Sequence, residues 1–487
     1  MVPKNIVLGN LELKMNIVGR KEEQKDLQSC LESSKPEFVV VYGRRRIGKT
    51  YLIREFFGHN FSFYASGVNN CTNKIQLKNF KKSLISYGLE KTIEIKDWFD
   101  AFDLLKTLLE MKQVYRDPLF KKRIVFLDEL PWMDAKRSDF KAALDLFWNT
   151  YGSTQSDLIL IVCGSATSWI IKNMIKDEGG FYNRLTRKIH LLPFTLAECE
   201  QYSKYLKLNY NRRQVLECHM VFGGIPYYWE LLNPSISLVQ NIDNLCFREN
   251  GQLHDEYQAL FRSLFNSKGK HREIIEALMK RNMGLQRKDL ASIVEIGDGK
   301  CLTTALEELC ECGFIREYDN YSTSKNGKFY QIIDPFILFS KTFLLTPKFD
   351  TWLSYINTPS YYSWTGHSFE MVCLNNISSI KKALGISGVM TKEYAWRSKK
   401  SNPAAQIDLL IHRKDQVINI CEIKYSIDKY SISKEYEKNL RNKIQSFIDE
   451  IKPKEQLVLT FITSNGLQQN EYSEMVLSQI EANQLFD

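Results

Sequence analysis

The residues best suited to binding a phosphate lie near the start of the chain. Gly43 to Thr50 read G-R-R-R-I-G-K-T, which fits the phosphate-binding loop pattern G-x-x-x-x-G-K-[ST] without a mismatch. In this pattern backbone N–H groups surround the phosphate, the lysine reaches the β- and γ-phosphates, and the hydroxyl ligates magnesium. The sequence therefore predicts a nucleotide site with a magnesium ion, formed by Gly43, Arg44, Arg45, Arg46, Ile47, Gly48, Lys49, Thr50 and Tyr51.

Two carboxylates follow an apolar run further along the chain. Ile124–Leu127 reads as a buried parallel strand, and Asp128 and Glu129 come directly after it. Parallel sheets bind ligands at the carboxyl ends of their strands. Asp128 is therefore predicted to hold the magnesium ion and Glu129 to polarise the attacking water as general base. A solvated acidic turn is the alternative, and the phosphate-binding loop upstream favours the functional explanation.

Three further polar residues are candidates for the same site. Ser165 follows the apolar strand that ends at Gly164, so its hydroxyl is predicted to lie beside the nucleotide. A small residue that only serves packing is an equal alternative. Arg184 and Arg187 precede the next strand and are candidates for a cation that neutralises transition-state charge, although surface arginines are more often solvated.

The elements that must position these residues follow an α/β pattern. Between residue 38 and about residue 164, short β-rich runs alternate with longer amphipathic stretches, which is typical of a parallel sheet. From Thr195 to about Arg262 the pattern is mainly helical, with a sharp turn at Phe222–Pro226. The predicted strands are Phe38–Tyr42, Phe61–Ala65, Arg123–Leu127, Leu158–Cys163 and Lys188–Leu192.

The middle of the chain has the outline of a winged helix. Three helices are predicted, and two strands follow them on either side of a polar turn that contains Asn326-Gly327. Pro347–Pro359 reads as a connector, and another helix is predicted near Phe369–Ile380. The predicted elements of the winged helix are the helices Arg272–Arg281, Arg287–Val294 and Lys300–Cys312 and the strands Phe314–Tyr318 and Lys328–Ile333.

The order of the motifs between residues 15 and 240 resembles that of the archaeal-type AAA+ ATPases, a group within or close to the STAND-like signalling NTPases. The resemblance is carried by Asn16–Glu23, the phosphate-binding loop, Leu127–Glu129, Cys163–Ser165, Asn183–Arg187 and Gly223–Tyr228. It implies that Val18 and Gly19 lie near the adenine and that Ser165 occupies a sensor position. It also implies that Arg184 corresponds to the arginine of a "GR" motif, in which Asn183 stands here in place of glycine. The Gly223–Tyr228 turn would belong to a helical lid.

A pair of carboxylates near the C-terminus forms a second candidate site. Gln406–Ile411 and Val417–Lys424 read as a β-hairpin around a polar turn at Arg413–Gln416. Paired positions in a hairpin have a constant sum, so Asp408 is predicted to lie nearly opposite Glu422, with Lys424 on the same face as Glu422. A divalent metal between the carboxylates with an adjacent lysine is the arrangement that phosphodiester cleavage needs.

This hairpin is similar to the centre of the PD-(D/E)XK nuclease fold. The resemblance covers about residues 360–487 and implies a metal held by Asp408, Glu422 and an acidic residue on a preceding helix, for which Glu370 is placed correctly. The alternative without a catalytic role is a pair of carboxylates at the rim of the sheet, neutralised by Lys424 or Arg413. Because active-site residues can persist in a fold recruited for binding, an inactive nuclease-like domain remains an open alternative.

The evidence for nucleic-acid binding in the sequence is mixed. The third helix of the winged segment carries Lys300, Thr303 and Thr304 but also several glutamates, whereas groove-reading helices are usually more basic. Protein contact is therefore an equal alternative for this helix. The glutamates of that helix are Glu307, Glu308 and Glu311, and the cations that could form a backbone-binding rim around the hairpin are Arg397, Lys399, Lys400, Arg413 and Lys414.

Composition excludes several classes of protein. The 487 residues carry 66 Lys and Arg against 57 Asp and Glu, a net charge of +9, which permits a polyanionic partner without establishing one. The longest apolar run, Leu158–Cys163, is far shorter than the roughly 20 residues of a membrane helix. Eleven scattered cysteines without a CxxC pair favour reduced, mostly buried thiols. We therefore expect a cytoplasmic protein that does not bind or span a membrane.

Together these patterns predict four domains in an α/β chain. They are a P-loop NTPase core with a parallel sheet (15–194), a helical lid (195–262), a winged helix (268–340) and a restriction-endonuclease-like α/β domain (360–487). The leading hypothesis is an ATP-driven switch that controls a metal-dependent DNA nuclease, with Mg²⁺ or Mn²⁺ at the second site. The alternative is a signalling ATPase whose C-terminal domains only bind DNA or a partner protein. A ring and a monomeric switch are both compatible with the motifs.

Overall fold

The computed structural model describes residues 17–164, 167–175, 181, 183–264, 270–281, 284–321, 328–398 and 405–487. The chain divides into two compact units, Met1–Leu192 and Pro193–Asp487. Among the described residues the first unit contains one sheet and the second contains three, and each unit has its own apolar core. Among the described residues, no helix is both long enough and apolar enough to cross a membrane.

The first unit is built on a sheet of five parallel strands. The strand order is β2-β3-β4-β1-β5, so the first strand of the chain lies between β4 and β5. Three strands are buried along nearly their whole length, as expected of a parallel sheet covered by helices on both faces. The strands are β1 (Glu37–Tyr42), β2 (Phe63–Ser66), β3 (Arg123–Asp128), β4 (Leu158–Gly164) and β5 (Arg187–His190).

Helices connect these strands and bury their apolar faces against the sheet. The core is rich in aromatic side chains, and Trp98, Phe140 and Phe38 are all buried within it. The helices are α1 (Lys21–Glu32), α2 (Lys49–Phe56), α3 (Asn73–Ser86), α4 (Trp98–Glu110), α5 (Leu130–Met133), α6 (Phe140–Thr150) and α7 (Thr167–Ile170), with a 3-10 turn at Gly152–Thr154 and a π-helical turn at Ile171–Ile175.

The five predicted strands are all present; three of them differ from the predicted bounds by one residue at one end, and two have larger shifts. Phe61 was expected inside β2, yet the strand begins only at Phe63, and the Phe61 ring packs instead against Phe126. Strand β5 was expected to reach Leu192 and ends at His190. Leu191 still donates its N–H to the Tyr42 carbonyl at 2.8 Å, whereas Leu192 is 53% exposed and outside the sheet.

The second unit begins with short helices whose starts are encoded locally. Thr195, Asn211 and Ser237 each begin a helix with a capping box, in which the side chain accepts from the third helical N–H and a Glu or Gln side chain bonds back. This predicted helical segment contains α8 (Leu196–Tyr205), α9 (Arg212–Phe222), α10 (Pro226–Glu230), α11 (Leu238–Ile242), a π-helical turn at Asp243–Phe247, and α12 (Glu256–Leu264).

Residues 271–332 form three helices and a three-stranded antiparallel sheet. The helices lie close to the predicted bounds, and the strand order is β6-β8-β7. The short first strand falls between the first two helices and was not predicted, because two residues are too few to show alternation. The elements are α13 (His271–Met279), β6 (Leu285–Gln286), α14 (Arg287–Ile293), α15 (Lys300–Glu311), β7 (Ile315–Tyr318) and β8 (Phe329–Ile332).

The predicted connector at Pro347–Pro359 is more than a linker. Trp352 and Tyr355 are buried, and their rings pack against Phe343 and against Trp364 or Phe247. The region predicted as one helix near Phe369–Ile380 contains parts of two helices, which are separated at Asn376. The helices of this region are α16 (Pro335–Phe339), α17 (Pro359–Asn375) and α18 (Ile377–Ala383), with a π-helical turn at Ser340–Leu344.

The C-terminal sheet is mixed and has the order β15-β13-β11-β10-β9. Strands β9, β10 and β11 are antiparallel neighbours, whereas β13 and β15 run parallel to β11. The long helix α19 buries Leu440 and Phe447 against the sheet. The elements are β9 (Thr391–Arg397), β10 (Gln406–Arg413), β11 (Val417–Lys424), β12 (Tyr430–Ser431), α19 (Lys434–Ile451), β13 (Gln456–Thr463), β14 (Leu467–Gln468), β15 (Ser478–Glu481) and a 3-10 turn at Ala482–Phe486.

All eleven cysteines are free thiols, and most of them are buried. Burial, followed by the negative charge of Glu37, raises the pKa of the Cys30 thiol to about 12. The prediction of reduced thiols is therefore confirmed in this structure.

Gly224 is held against another part of the second unit, and this contact generates a prediction. A Cβ at Gly224 would lie 2.0 Å from the Phe194 carbonyl oxygen, and Phe194 donates its N–H to the Gly224 carbonyl at 2.7 Å. Gly224→Ala is expected to lower the free energy of unfolding by about 2 kcal/mol. The matched control is Gly366→Ala, where a Cβ meets nothing within 4 Å in helix α17 and a gain of about 1 kcal/mol is expected. Denaturant unfolding of both variants measures the change in the free energy of unfolding. Equal changes in the two variants would contradict the close contact at Gly224.

Candidate functional site

The predicted phosphate-binding loop connects β1 to α2. Lys49 begins the helix and is buried, and its ammonium group donates to the Gly43 carbonyl at 3.0 Å and to the Arg44 carbonyl at 2.8 Å. The ammonium is therefore directed back over the loop. Gly43 has φ +145°, and a Cβ there would lie 2.3 Å from the Leu191 carbonyl oxygen, so only glycine fits at this position.

The hydroxyl of Thr50 and the carboxylate of Asp128 meet across the ends of β1 and β3. Thr50 Oγ1 lies 3.1 Å from both Asp128 Oδ1 and Asp128 Oδ2, and Asp128 is only 4% exposed. The structure thus brings together the two residues predicted to hold magnesium. A hydroxyl and a carboxylate are the oxygen donors that Mg²⁺ prefers, so this pair fits the ion.

Glu129 occupies a tightly defined position next to Asp128. Its backbone has φ +46°, and its N–H donates to Asp128 Oδ1 at 2.9 Å. A Cβ at Gly67 would lie 2.4 Å from the Glu129 carbonyl oxygen, which shows how closely the segment after β2 approaches. The left-handed backbone turns the chain out of β3 and into α5, and leaves the Glu129 side chain partly exposed at the edge of the sheet.

Two contacts of Asp128 were missed by sequence analysis. Cys163 Sγ lies 3.0 Å from Asp128 Oδ1, and Tyr64 donates its hydroxyl to Asp128 Oδ2 at 3.4 Å. Burial, followed by the negative charge of Asp128, raises the pKa of both the Cys163 thiol and the Tyr64 hydroxyl. Arg54 donates to the Tyr64 hydroxyl at 2.5 Å. The strand positions of Cys163 and Tyr64 were available from the sequence, but their side-chain directions were not.

The remaining predicted nucleotide residues surround the loop in different environments. Arg44 and Ile47 are buried, whereas Arg45 is exposed and Tyr51 is 46% exposed. Arg46 is partly exposed and has φ +71°. The loop residue Gly48 has φ +86° and open space at its Cβ position.

The segment predicted to lie near the adenine is tied to the loop. Val18 is partly buried, and Gly19 accepts a 2.7 Å hydrogen bond from Gln24 Nε2 through its carbonyl oxygen. Arg20 follows with φ +56° and donates to the Ile47 carbonyl at 3.4 Å. Arg20 was not predicted as a site residue, although its charge beside the Gly19 turn was visible in the sequence.

The three further candidates for the nucleotide site are Ser165, Arg184 and Arg187. Ser165 lies outside the described residues. The guanidinium of Arg184 forms an ion pair with Asp145 on α6. Arg187 donates to the Thr186 carbonyl at 2.9 Å and to the Ser29 hydroxyl at 3.5 Å. In this structure the contacts of both arginines are thus with protein groups of the first unit.

The C-terminal carboxylates lie on the predicted hairpin. Leu409 pairs with Cys421 and Leu410 with Ile420, so the register places Asp408 opposite Glu422 as predicted. The pairing of β10 with β9 shifts register between Ile407 and Leu410, which marks a local irregularity at Asp408.

Glu422 is held by groups that sequence analysis did not find. Its carboxylate is almost fully buried, and it accepts from Lys443 Nζ at 2.6 Å and from the Tyr436 hydroxyl. Lys424 Nζ lies 3.1 Å from Glu422 Oε1. Burial by itself would raise the pKa of Glu422, but Lys443 and Lys424 hold that pKa below its ordinary value. Lys443 and Tyr436 project from α19, and no spacing in the sequence linked that helix to the strand.

Asp408 lies near both acidic and basic side chains. Burial and the carboxylates of Glu370 and Glu422 raise the pKa of Asp408 to about 7, against the opposing effect of Lys443 and Lys424. Glu370 lies on α17 with His367 Nδ1 3.4 Å from its carboxylate. The three acidic groups thus influence one another, but among the described residues no three His, Cys, Asp or Glu side chains are grouped so that they could hold a metal ion.

The residues considered for nucleic-acid contact are distributed over several places. Arg413 forms an ion pair with Asp415 in its own turn, and Lys414 is exposed beside it. Lys399 and Lys400 lie outside the part of the chain that the structure describes. On α15, Thr303 accepts from Arg287 Nη2 at 2.9 Å, and Glu308 lies 2.6 Å from His271 Nε2, so two polar side chains of this helix already have internal partners.

Comparison with known proteins defines the class of the first part of the chain. Residues 17–232 match the sequence model of a family described as an ATPase domain predominantly from Archaea. This match, together with the phosphate-binding loop and the parallel sheet, makes the N-terminal part of the chain a P-loop ATPase-like domain.

Two relatives come from Methanocaldococcus jannaschii. One is an uncharacterized protein that is 26% identical over 340 residues, which cover 66% of this chain and 67% of that protein. The other is described as an uncharacterized ATP-binding protein and is 46% identical over 39 residues, which cover 8% of this chain and 66% of that protein.

Solved structures with a similar arrangement include two archaeal proteins. A Walker-type ATPase of Pyrococcus abyssi has a TM-score of 0.46 and 19% identity, covering 66% of this chain and 96% of that one. The ORC2 protein of Aeropyrum pernix, in complexes with ADPNP and ADP, has a TM-score of 0.41 and 13% identity, covering 74% of this chain and 97% of that one.

The partners of Glu422 lead to a prediction about stability. Lys443→Ala is expected to lower the free energy of unfolding by about 2 kcal/mol, because the buried carboxylate of Glu422 loses one of its two lysines. Lys438→Ala, on an exposed position of the same helix, should change it by less than about 0.5 kcal/mol. Adding Glu422→Gln to Lys443→Ala should recover part of the loss. Denaturant unfolding with this double-mutant cycle tests the pairing, and additive effects would contradict it.

Proposed function

We propose that the protein is an ATP-binding and ATP-hydrolysing switch of the AAA+ type that controls a C-terminal nuclease-like domain. The observation that carries the first half is the 3.1 Å approach of the Thr50 hydroxyl to both carboxylate oxygens of Asp128 beside the Lys49 ammonium. A phosphate-binding loop, a magnesium-binding hydroxyl and an acidic strand end are the parts that nucleotide hydrolysis requires.

Each residue has a proposed role in that chemistry. Thr50 and Asp128 would hold Mg²⁺, which neutralises phosphate charge when bound. The Lys49 ammonium would exchange its hydrogen bonds to the loop carbonyls for contacts with the phosphates. Glu129 would accept a proton from the attacking water, and Ser165 would act as the sensor. Arg184 is proposed as the transition-state cation, and this role requires it to exchange Asp145 for the nucleotide.

The second unit is proposed to contain the lid, a winged helix and a PD-(D/E)XK-like domain. The order helix, strand, helix, helix, strand, strand between residues 271 and 332 supports a winged helix over 268–340. For residues 360–487 the support is the order of a helix, three antiparallel strands, a long helix and a parallel strand, with Asp408 and Glu422 on adjacent strands.

The chemistry of the carboxylate donors fits a divalent cation at the second site, although the present arrangement is not closed around an ion. Burial and the negative charges of Glu370 and Glu422 raise the pKa of Asp408 against the opposing effect of Lys443 and Lys424, so a divalent cation would relieve the repulsion among the carboxylates. Glu422 meanwhile has Lys443 and Lys424 as counter-ions. Glu370, Asp408 and Glu422 would hold Mg²⁺ or Mn²⁺, which supplies an activated water for phosphodiester cleavage when bound.

Contacts within the second unit suggest how the predicted lid is coupled to this site. Helix α9 packs against α17, the helix that carries Glu370. Glu217 on α9 accepts a 3.3 Å hydrogen bond from the Tyr425 hydroxyl, and Tyr425 directly follows Lys424. A movement of α9 would therefore reach both the helix and the strand that carry the candidate nuclease residues.

A second candidate function is a signalling ATPase whose C-terminal domains only bind DNA or a partner protein. The observation that favours it is the complete set of partners around Glu422, since a carboxylate bonded to two lysines and a tyrosine needs no metal ion. The two functions differ in whether divalent cations produce cleavage.

The ATPase proposal is tested by two variants of the first site. Lys49→Ala is expected to abolish measurable nucleotide binding, because the loop loses the cation that faces the phosphates. Glu129→Gln should retain binding and lose turnover by a factor of about 10² or more, because the base is lost while the loop stays intact. Calorimetric titration with Mg-ATP and phosphate release measure these results. Normal hydrolysis by either variant would overturn the assigned role.

The nuclease proposal is tested on the second site with plasmid DNA. Wild-type protein with ATP and Mg²⁺ or Mn²⁺ is expected to nick or cut the plasmid, and Asp408→Asn and Lys424→Ala should each abolish cleavage while ATP hydrolysis continues. Lys438→Ala, which removes an exposed cation on α19, is the matched control and should cleave normally. Absence of cleavage by the wild type under every nucleotide and metal condition would favour the binding function.

A further inference from the structure

A large cleft opens in the second unit at a place that no prediction assigned. Its volume is about 730 Å³, and it is lined by residues from the end of α13, from α14, from β8 and from the end of β9. The elements from residues 271–332 and the C-terminal sheet therefore both contribute to its walls.

Positive charge is concentrated on the walls of this cleft. Lys280, Arg281 and Arg397 line it, against the single acidic residue Asp289. All three cationic side chains are exposed, and none of them forms an ion pair with a carboxylate of the described residues. Exposed cationic side chains that form no ion pair with a described carboxylate are available to an anionic ligand. Phe329, which is partly buried, adds an aromatic ring to the same wall.

One residue of the cleft, Arg397, lies on the strand next to the one that carries Asp408. Arg397 is paired across the sheet with Gln406, two residues before Asp408. Strand β7 also packs against β9, and on β7 the guanidinium of Arg316 lies 4.6 Å from the centre of the Tyr318 ring. Burial raises the pKa of the Tyr318 hydroxyl on β7, and the charges of Arg397, Asp408 and Glu370 also act on it.

We propose that this cleft, named here the basic cleft and defined by Lys280, Arg281, Asp289, Phe329 and Arg397, binds a polynucleotide strand and leads it to Asp408. The inference rests on the proposed nuclease-like function and adds the substrate path to it. Lysine and arginine side chains neutralise backbone phosphates, and an aromatic ring can stack on a base of a single strand. Because the cations come from two elements, the end of α13 and strand β9, the proposed ligand is a phosphate chain that contacts both.

The basic cleft also differs from the surface that a winged helix would present through α15. That helix carries Glu307, Glu308 and Glu311, and none of its residues lines the cleft. Nucleic acid is therefore expected to contact the other side of this segment, near the end of α13. The prediction from the sequence that Arg397 belongs to a backbone-binding rim is extended by Lys280 and Arg281, which the sequence did not connect to it.

Binding is tested separately from cleavage by fluorescence anisotropy in EDTA. The probes are labelled single-stranded DNA, its duplex and RNA of the same sequence, used with full-length protein. The double variant Lys280→Glu and Arg281→Glu, and the single variant Arg397→Glu, are each expected to weaken binding of the preferred probe by about tenfold or more. The slope of log affinity against log salt should decrease by about 0.7 for each lost phosphate contact on a single strand.

The matched control is Lys300→Glu, an exposed charge reversal at the start of α15. It should leave affinity unchanged, and thermal melting shows whether each variant is folded. Loss of binding in Lys300→Glu with normal binding in the cleft variants would overturn the proposal, as would wild-type binding to an acidic polypeptide but to none of the three nucleic acids. Binding without any cleavage in metal would refute the nuclease proposal alone, whereas cleavage unaffected by the cleft variants would refute the cleft alone.

Discussion

The approach of the Thr50 hydroxyl to the Asp128 carboxylate depends on parallel strands that end at one edge of a sheet. Thr50 follows β1 through a loop that only glycine can begin, because a Cβ at Gly43 would collide with the Leu191 carbonyl. Asp128 ends β3, two strands away. If either strand were shifted by one residue, the polar groups would point to opposite faces. The apolar strands of the first unit therefore set the position of the groups that could bind a nucleotide.

In the second unit the corresponding constraint is a buried carboxylate. Glu422 is isolated from water, so its charge has to be compensated by protein groups, and Lys443, Lys424 and Tyr436 compensate it. These contacts fix α19 against the sheet. They also mean that the Glu422 carboxylate is occupied by protein contacts, whereas burial and the negative charges of Glu370 and Glu422 raise the pKa of Asp408.

Local sequence patterns predicted many of the strands and helices, but they could not predict which side chains from distant elements contact each other. The strands of the parallel sheet and the hairpin register followed from apolar runs and turn residues, and the pattern G-x-x-x-x-G-K-[ST] located the loop before α2. The partners of Asp128 and Glu422 come from Cys163, Tyr64, Lys443 and Tyr436, which lie on other elements. Their directions depend on tertiary packing. The ion pair of Arg184 with Asp145 shows the same limit, since an arginine before a strand carries no signal of its partner.

The edge of the C-terminal sheet is covered by the chain that leaves β7. Asn320 forms a bridge to Ala395 on β9, Tyr321 donates its N–H to the Ala395 carbonyl at 2.7 Å, and the Tyr321 ring packs against Tyr394. Strand β9 is the outermost strand of its sheet, so this short segment shields backbone groups that would otherwise be open to pairing. A fragment produced from residue 341 onward would lack this protection, expose an aromatic strand edge and self-associate. An expression product intended to isolate the last domain should therefore retain the preceding residues from His271.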